Sequence, residues 1–148
     1  MKKKFLLPFF LAILVGFVFA QAVYKEYMIQ TENISFNTYI LQEGVYTNKE
    51  ALDKHLKDID KYILYEEDGK YYVYLAFTTS LNNVNKLKSL YEEEDVSVYV
   101  RKANILNDEF VASLEQYDLL LEEVKDDEEI FAINETILSS YEELILGK

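Results

Sequence analysis

Near the middle of the chain, Glu67-Asp68-Gly69-Lys70 stands between two runs of β-branched and aromatic residues, 61–66 and 71–78. An Asp-Gly pair accepts positive φ at both central turn positions, the geometry that closes a two-residue hairpin with the twist of its strands. The pair therefore predicts an antiparallel hairpin and limits what can lie on either side of it. Upstream, residues 36–46 read as a strand, and Asn48 as the N-cap of a helix over 49–60 carrying Ala51, Leu52, Leu56 and Ile59 at helical spacing. Downstream, Val84, Leu87, Leu90 and Tyr91 mark a second helix, and residues 96–102 alternate as a fourth strand.

The order is β-α-β-β-α-β, the split βαβ arrangement of ferredoxin-like and RNA-recognition folds, an α+β class. Two helices are expected on one face of a four-stranded antiparallel sheet, leaving the other face open. Beyond residue 103 the pattern becomes purely helical. Asn107 can cap a helix that opens on Asp108 and Glu109, and Phe110, Leu114, Tyr117, Leu121 and Val124 share one stripe. After 126–129, a break or a second helix start, Ile130, Ile133, Ile137, Tyr141 and Leu144 form another. Residues 104–148 are thus expected to be a helical hairpin or one bent helix, whose stripes pack on the domain or on each other in preference to serving as a docking arm.

The N-terminus reads differently. Three lysines, Lys2, Lys3 and Lys4, precede an uncharged run from Phe5 to Tyr24. Twenty helical residues rise about 30 Å, enough to cross a hydrocarbon core, and the lysine cluster sets the N-terminus inside. Residues 1–24 are read as a signal-anchor and 25–35 as a tether. The expected location is the cell membrane, single-pass, with the remainder extracytoplasmic. A cleavable signal is the competing reading, since Ala20-Gln21-Ala22 matches a cleavage pattern, but the apolar run continues through Val23 and Tyr24.

Charge and composition remove several function classes. Without the three leading lysines, 12 basic residues face 27 acidic ones, a net −15. So acidic a surface repels phosphate backbones, and nucleic acid is not an expected partner. The chain has no cysteine and therefore neither disulfides nor thiolate metal sites.

In a strand alternate residues face opposite ways. Val96, Val98 and Val100 are expected to face the helices, turning Ser97, Tyr99 and Arg101 outward. Tyr71, Val73, Leu75 and Phe77 make the better inward set of the third strand, turning Tyr72, Tyr74 and Ala76 outward. In the first, Tyr39 and Leu41 go in, and Ile40 and Gln42 go out. The open face is thus predicted to carry Ile40, Gln42, Tyr72, Tyr74, Tyr99 and Arg101. Tyrosine rings stack on the C–H faces of sugars, an amide donates to and accepts from hydroxyl and acetamido groups, and Arg pairs with carboxylates. Aromatic platforms also suit single-stranded nucleic acid, which needs a basic groove that this chain lacks. Open-face tyrosines are equally ordinary strand formers.

The stretch YILQEGVYTNKEALDKHL resembles the first half of the SPOR (sporulation-related repeat) domain, with Gln42, Gly44, Tyr46, Ala51 and Leu56 at its hallmark positions. DGKYYVYLAFTTSLNNVNKL is similar to the second half, so the resemblance spans about residues 36–103. Two positions depart from the family: Ala76 stands where the second repeat usually has Gly, and Tyr72 where an Arg is common. Contact at Tyr72 would accordingly be stacking rather than charge pairing. The resemblance implies binding of peptidoglycan glycan strands stripped of stem peptides, with Gln42 hydrogen-bonding the glycan on the sheet face. It also implies a role in cell division or sporulation.

Catalytic constellations are not expected. His55 is the only histidine and lies beside Leu52 and Leu56 as a helix-surface residue. The acidic runs Glu92-Glu93-Glu94-Asp95 and Asp126-Asp127-Glu128-Glu129 lack the ligand spacing and central Gly of a calcium loop. No carboxylate pair is singled out as a glycosidase would require, and no Gly-rich phosphate loop is present. The expectation is a non-enzymatic, cofactor-free peptidoglycan-binding protein. Its C-terminal helices are the expected surface for divisome or sporulation proteins, and a third reading, compatible with either of the others, is a hydrolase regulator that recruits an amidase. The alternative is an interaction module of the cell envelope whose sheet face those helices cover.

Overall fold

The computed structural model describes residues 36–148, together with the single residue Ala20. The expected membrane segment (1–24) and tether (25–35) otherwise lie outside the described residues. Among the described residues no helix is long and apolar enough to cross a membrane.

The described chain is α+β, with a four-stranded antiparallel sheet and four α-helices. The strands are β1 (Thr38–Tyr46), β2 (Ile63–Glu67), β3 (Lys70–Thr78) and β4 (Tyr99–Ala103), arranged β2-β3-β1-β4. The helices are α1 (Lys49–His55), α2 (Leu81–Glu93), α3 (Asp108–Glu123) and α4 (Asp127–Tyr141), the last continuing into a π-helical turn, Glu142–Leu146. Asp68 and Gly69 take φ of 52° and 72°, so the β2–β3 hairpin closes on two left-handed residues as the Asp-Gly pair predicts.

Helix starts follow their caps. The side chains of Asn48, Ser80, Asn107 and Asp126 accept from backbone N–H groups in the first turns of α1 to α4. Helix α1 stops at His55 rather than reaching residue 60. The two aspartates of 57–60, Asp58 and Asp60, favour turns over helix interiors, and Leu56 and Ile63 are buried on either side of that segment. Likewise β4 starts at Tyr99, later than expected, because its ladder ends at Gln42↔Tyr99, where β1 becomes irregular.

That irregularity reorganises the sheet faces. Leu41 pairs with Ala76 but Gln42 pairs with Tyr74, leaving Leu75 as an extra residue. Gly44 then pairs with Val73, leaving Glu43 as its counterpart on β1. These paired bulges break the alternation. Directly opposed residues share a face, so Phe77 joins Ile40, Gln42, Tyr72 and Tyr74 rather than Val73, which corrects the expected inward set of β3. Ala76 falls on the opposite face with Leu41, not outward with Tyr74. Val100, opposite Leu41, faces the expected side but is exposed on the edge strand.

Residues 104–148 form the helical hairpin, and it packs on the sheet domain. Phe110 and Tyr141 enclose Phe77, with ring centroids 5.8 and 4.3 Å away. Asp118 anchors the other end of α3. Its buried carboxylate accepts from Thr79 N–H (2.7 Å), the Thr79 hydroxyl (2.7 Å), Asn83 Nδ2 (3.0 Å) and the Thr78 hydroxyl. Such a fully satisfied buried carboxylate ties α3 to the β3–α2 junction. Lys86 donates to the carbonyls of Leu121 and Val124, placing a cation at the C-terminal end of the α3 dipole.

Candidate functional site

The six residues expected on one sheet face are brought to one face. Gln42 lies opposite Tyr99 and Tyr74, Ile40 opposite Arg101, and Val45 opposite Tyr72. They differ in access. Ile40 and Tyr74 are 5% and 4% exposed, so neither offers a surface to a ligand, which corrects their expected placement in the open. Phe110 and Tyr141 pack on Phe77, the neighbour of both, and Tyr65 and Arg101 cover Tyr74 from within the sheet. Tyr99 remains 64% exposed, Arg101 is exposed, and Gln42 and Tyr72 are half-buried.

The accessible end is an ordered polar-aromatic patch. Tyr65 stacks on Tyr74 and tilts against Tyr72, with centroids 5.9 and 6.2 Å apart. Arg101 lies over the Tyr72 ring, 5.7 Å from its centroid, and donates to the Tyr74 hydroxyl at 3.2 Å. The guanidinium thus bridges two tyrosines, and it is in neither of the ion pairs among the described residues, Lys61–Glu142 and Lys88–Glu92. Burial pushes the Tyr74 phenol up, and the Arg101 charge offsets part of that rise. Gln42 Oε1 is shielded and has no hydrogen-bond partner among the described residues. That oxygen is closed to solvent, so what Gln42 offers the face is the half-buried remainder of its side chain, beside exposed aromatic rings.

Gly44 has a steric role. A Cβ there would meet Cε2 and Oη of Tyr46 at 3.2 and 3.3 Å. The glycine lets the Tyr46 ring fold back so that its hydroxyl donates to Glu43, the bulged residue, at 2.7 and 2.8 Å. Burial, that hydrogen bond and the Glu43 charge all push the Tyr46 phenol up. The Gln-x-Gly-x-Tyr sequence therefore shapes the bulge from which Gln42 projects. His55 is exposed at the end of α1, its ring 5.6 Å from that of Tyr46.

Five buried polar residues escaped the sequence reading, Thr38, Thr78, Asn83, Asp118 and Asn134, and the last two stand at core spacing on otherwise apolar stripes. A polar residue at such a position was the available signal. Asn134 donates to the Leu75 carbonyl and to the Tyr91 hydroxyl, at 2.8 and 2.9 Å. It thereby serves a carbonyl of the extra residue in β3.

Set against protein-family models, curated proteins and solved structures, the chain finds no match in any of the three.

Proposed function

We propose that the chain is a membrane-anchored, extracytoplasmic protein that binds peptidoglycan glycan strands lacking stem peptides, in cell division or sporulation, and that it is not an enzyme. The observation that carries this reading is the clustering of Gln42, Tyr72, Tyr99 and Arg101 on the accessible part of one sheet face. Support also comes from the β-α-β-β-α-β order and the β2-β3-β1-β4 arrangement, which fit the split βαβ topology of a SPOR-like domain over 36–103. The leading lysines and the uncharged run after them support the anchor. A glycan stripped of charged peptides makes no demand for a basic groove, so the acidic surface is compatible with it.

A second reading rests on a different observation. Phe110 and Tyr141 close the Ile40–Phe77 end of the same face, and Leu119 and Leu120 of α3 are exposed. Covered sheet and apolar helix surface together suit a non-enzymatic interaction module that docks a cell-envelope protein. Sedimentation of the full chain, in detergent, with insoluble sacculi before and after amidase treatment separates the two. The glycan reading expects binding to rise with amidase treatment and Gln42→Ala to weaken it about fivefold, the value of one hydrogen bond. No binding to either preparation would replace it with the protein-docking reading.

A further inference from the structure

Arg101 is the single arginine of the chain, and it stands exposed on the edge strand β4 of a protein with 27 acidic residues. None of the described Asp or Glu side chains forms an ion pair with it. Tyrosines hold it instead. It lies over the Tyr72 ring, 5.7 Å from the centroid, and its one hydrogen bond among the described residues goes to the Tyr74 hydroxyl at 3.2 Å. Lys102, the next residue, lies over the Phe36 ring, 4.5 Å from its centroid. Two aromatic partners restrict the Arg101 side chain without neutralising its charge, and its planar fork has further N–H groups to donate.

Tyr99 stands on the same face two residues earlier, roughly 7 Å along the strand, and is 64% exposed. An exposed ring and a positioned cation at that spacing suit a sugar that carries a carboxylate. The C–H face of the sugar lies on Tyr99, and the carboxylate accepts charge-assisted hydrogen bonds from Arg101.

In peptidoglycan, amidase treatment creates such a group. The lactyl side chain of muramic acid is joined to the stem peptide through an amide. Hydrolysis breaks the C–N bond, the peptide leaves as an amine, and the lactyl carbon becomes a carboxylate. Stripped glycan thus differs from intact glycan by a new anion as well as by the missing peptide.

We infer that Arg101 is the specificity-determining residue of the Gln42 face and that it pairs with the lactyl carboxylate of stripped muramic acid. The inference rests on the glycan reading and adds to it the chemical group that is selected. One carboxylate on each muramic acid asks for one cation rather than a basic groove, which is what the face of this acidic chain provides.

The test is sedimentation of the full chain, in detergent, with two preparations of amidase-treated sacculi free of teichoic acid. One is left as it is, and the other has its carboxylates converted to neutral methylamides by carbodiimide coupling. The wild-type chain is expected to bind the amidated preparation about fivefold more weakly, the scale of one solvent-exposed charged pair. Arg101→Gln should bind both preparations equally, at the weaker level, whereas Gln42→Ala should lose affinity for both and keep the preference. Equal wild-type binding to the two preparations, or an Arg101→Gln variant that keeps the preference, would overturn the inference and leave the glycan reading standing. No wild-type binding to either would remove both.

Discussion

The two ends of the Gln42 face share the same strands and differ in what lies above them. At one end Ile40 and Phe77 oppose each other across β1 and β3 beneath Phe110 and Tyr141. Along the β4 edge, Tyr99 and Arg101, the cross-strand partners of Gln42 and Ile40, meet water. Aromatic residues occupy both ends, so residue type along the strands does not separate them. The helical hairpin does. Tyr74 marks the boundary, with its ring edge-on to Phe77 on the closed side and its hydroxyl accepting from Arg101 on the open side. An appended helix pair can thus divide a sheet face into core and surface, and tyrosine suits the line of division because one end of its ring is apolar and the other polar.

The most severe way to break that division is Phe110→Ala. Phe110 is 1% exposed and touches both Phe77 and Tyr141, so truncation opens a cavity where hairpin and sheet meet. A loss of about 3–5 kcal/mol is expected from urea denaturation of the variant. A loss below about 1 kcal/mol would mean that the closed end contributes no more to stability than an ordinary surface site.

What the sequence made legible was what local chemistry dictates. Asp68-Gly69 specified the hairpin, Asn48 and Asn107 the starts of α1 and α3, and the apolar spacing of 108–144 the helical pair. The six face residues were grouped together by alternation, and they do share a face. What alternation could not supply was the bulge at Leu75, which moves Phe77 across the sheet, or the covering of Phe77 by Phe110 and Tyr141 from far along the chain. Burial by a distant helix is a tertiary event with no local signature. The amide and carboxylate at Asn134 and Asp118 did have one, since each interrupts an apolar stripe that packs inward.

Alkaline titration sharpens the comparison by probing the closed end through its phenols. Burial pushes the Tyr141 phenol from its ordinary 10.0 up to about 12, and burial also raises Tyr74. The folded chain therefore keeps these protons at pH values where the unfolded chain has lost them. The folded state then binds more protons, and stability falls as pH rises. No effect of these groups is expected below pH 10, and a decline is expected as pH passes from 10 towards 12. Chemical denaturation at a series of pH values measures it, and Tyr141→Phe should flatten the slope. A slope unchanged in that variant would remove Tyr141 as its source.

The smallest effect on stability, and the sharpest contrast, is expected at Tyr99. At 64% exposed, its ring contributes little to the core, and Tyr99→Ala should change unfolding free energy by no more than about 0.5 kcal/mol. If the open end is a ligand platform, the same substitution removes a stacking surface beside Gln42, its cross-strand partner. Sedimentation with amidase-treated sacculi should then fall several-fold although the fold is intact, an effect on the scale of a lost aromatic contact of about 1 kcal/mol. Phe110→Ala would give the opposite signature, with stability lost first and binding lost only as the chain unfolds. Retained binding in a stable Tyr99→Ala variant would show that exposure alone does not make this end of the face functional, and the weight would pass to the surface of the helical hairpin.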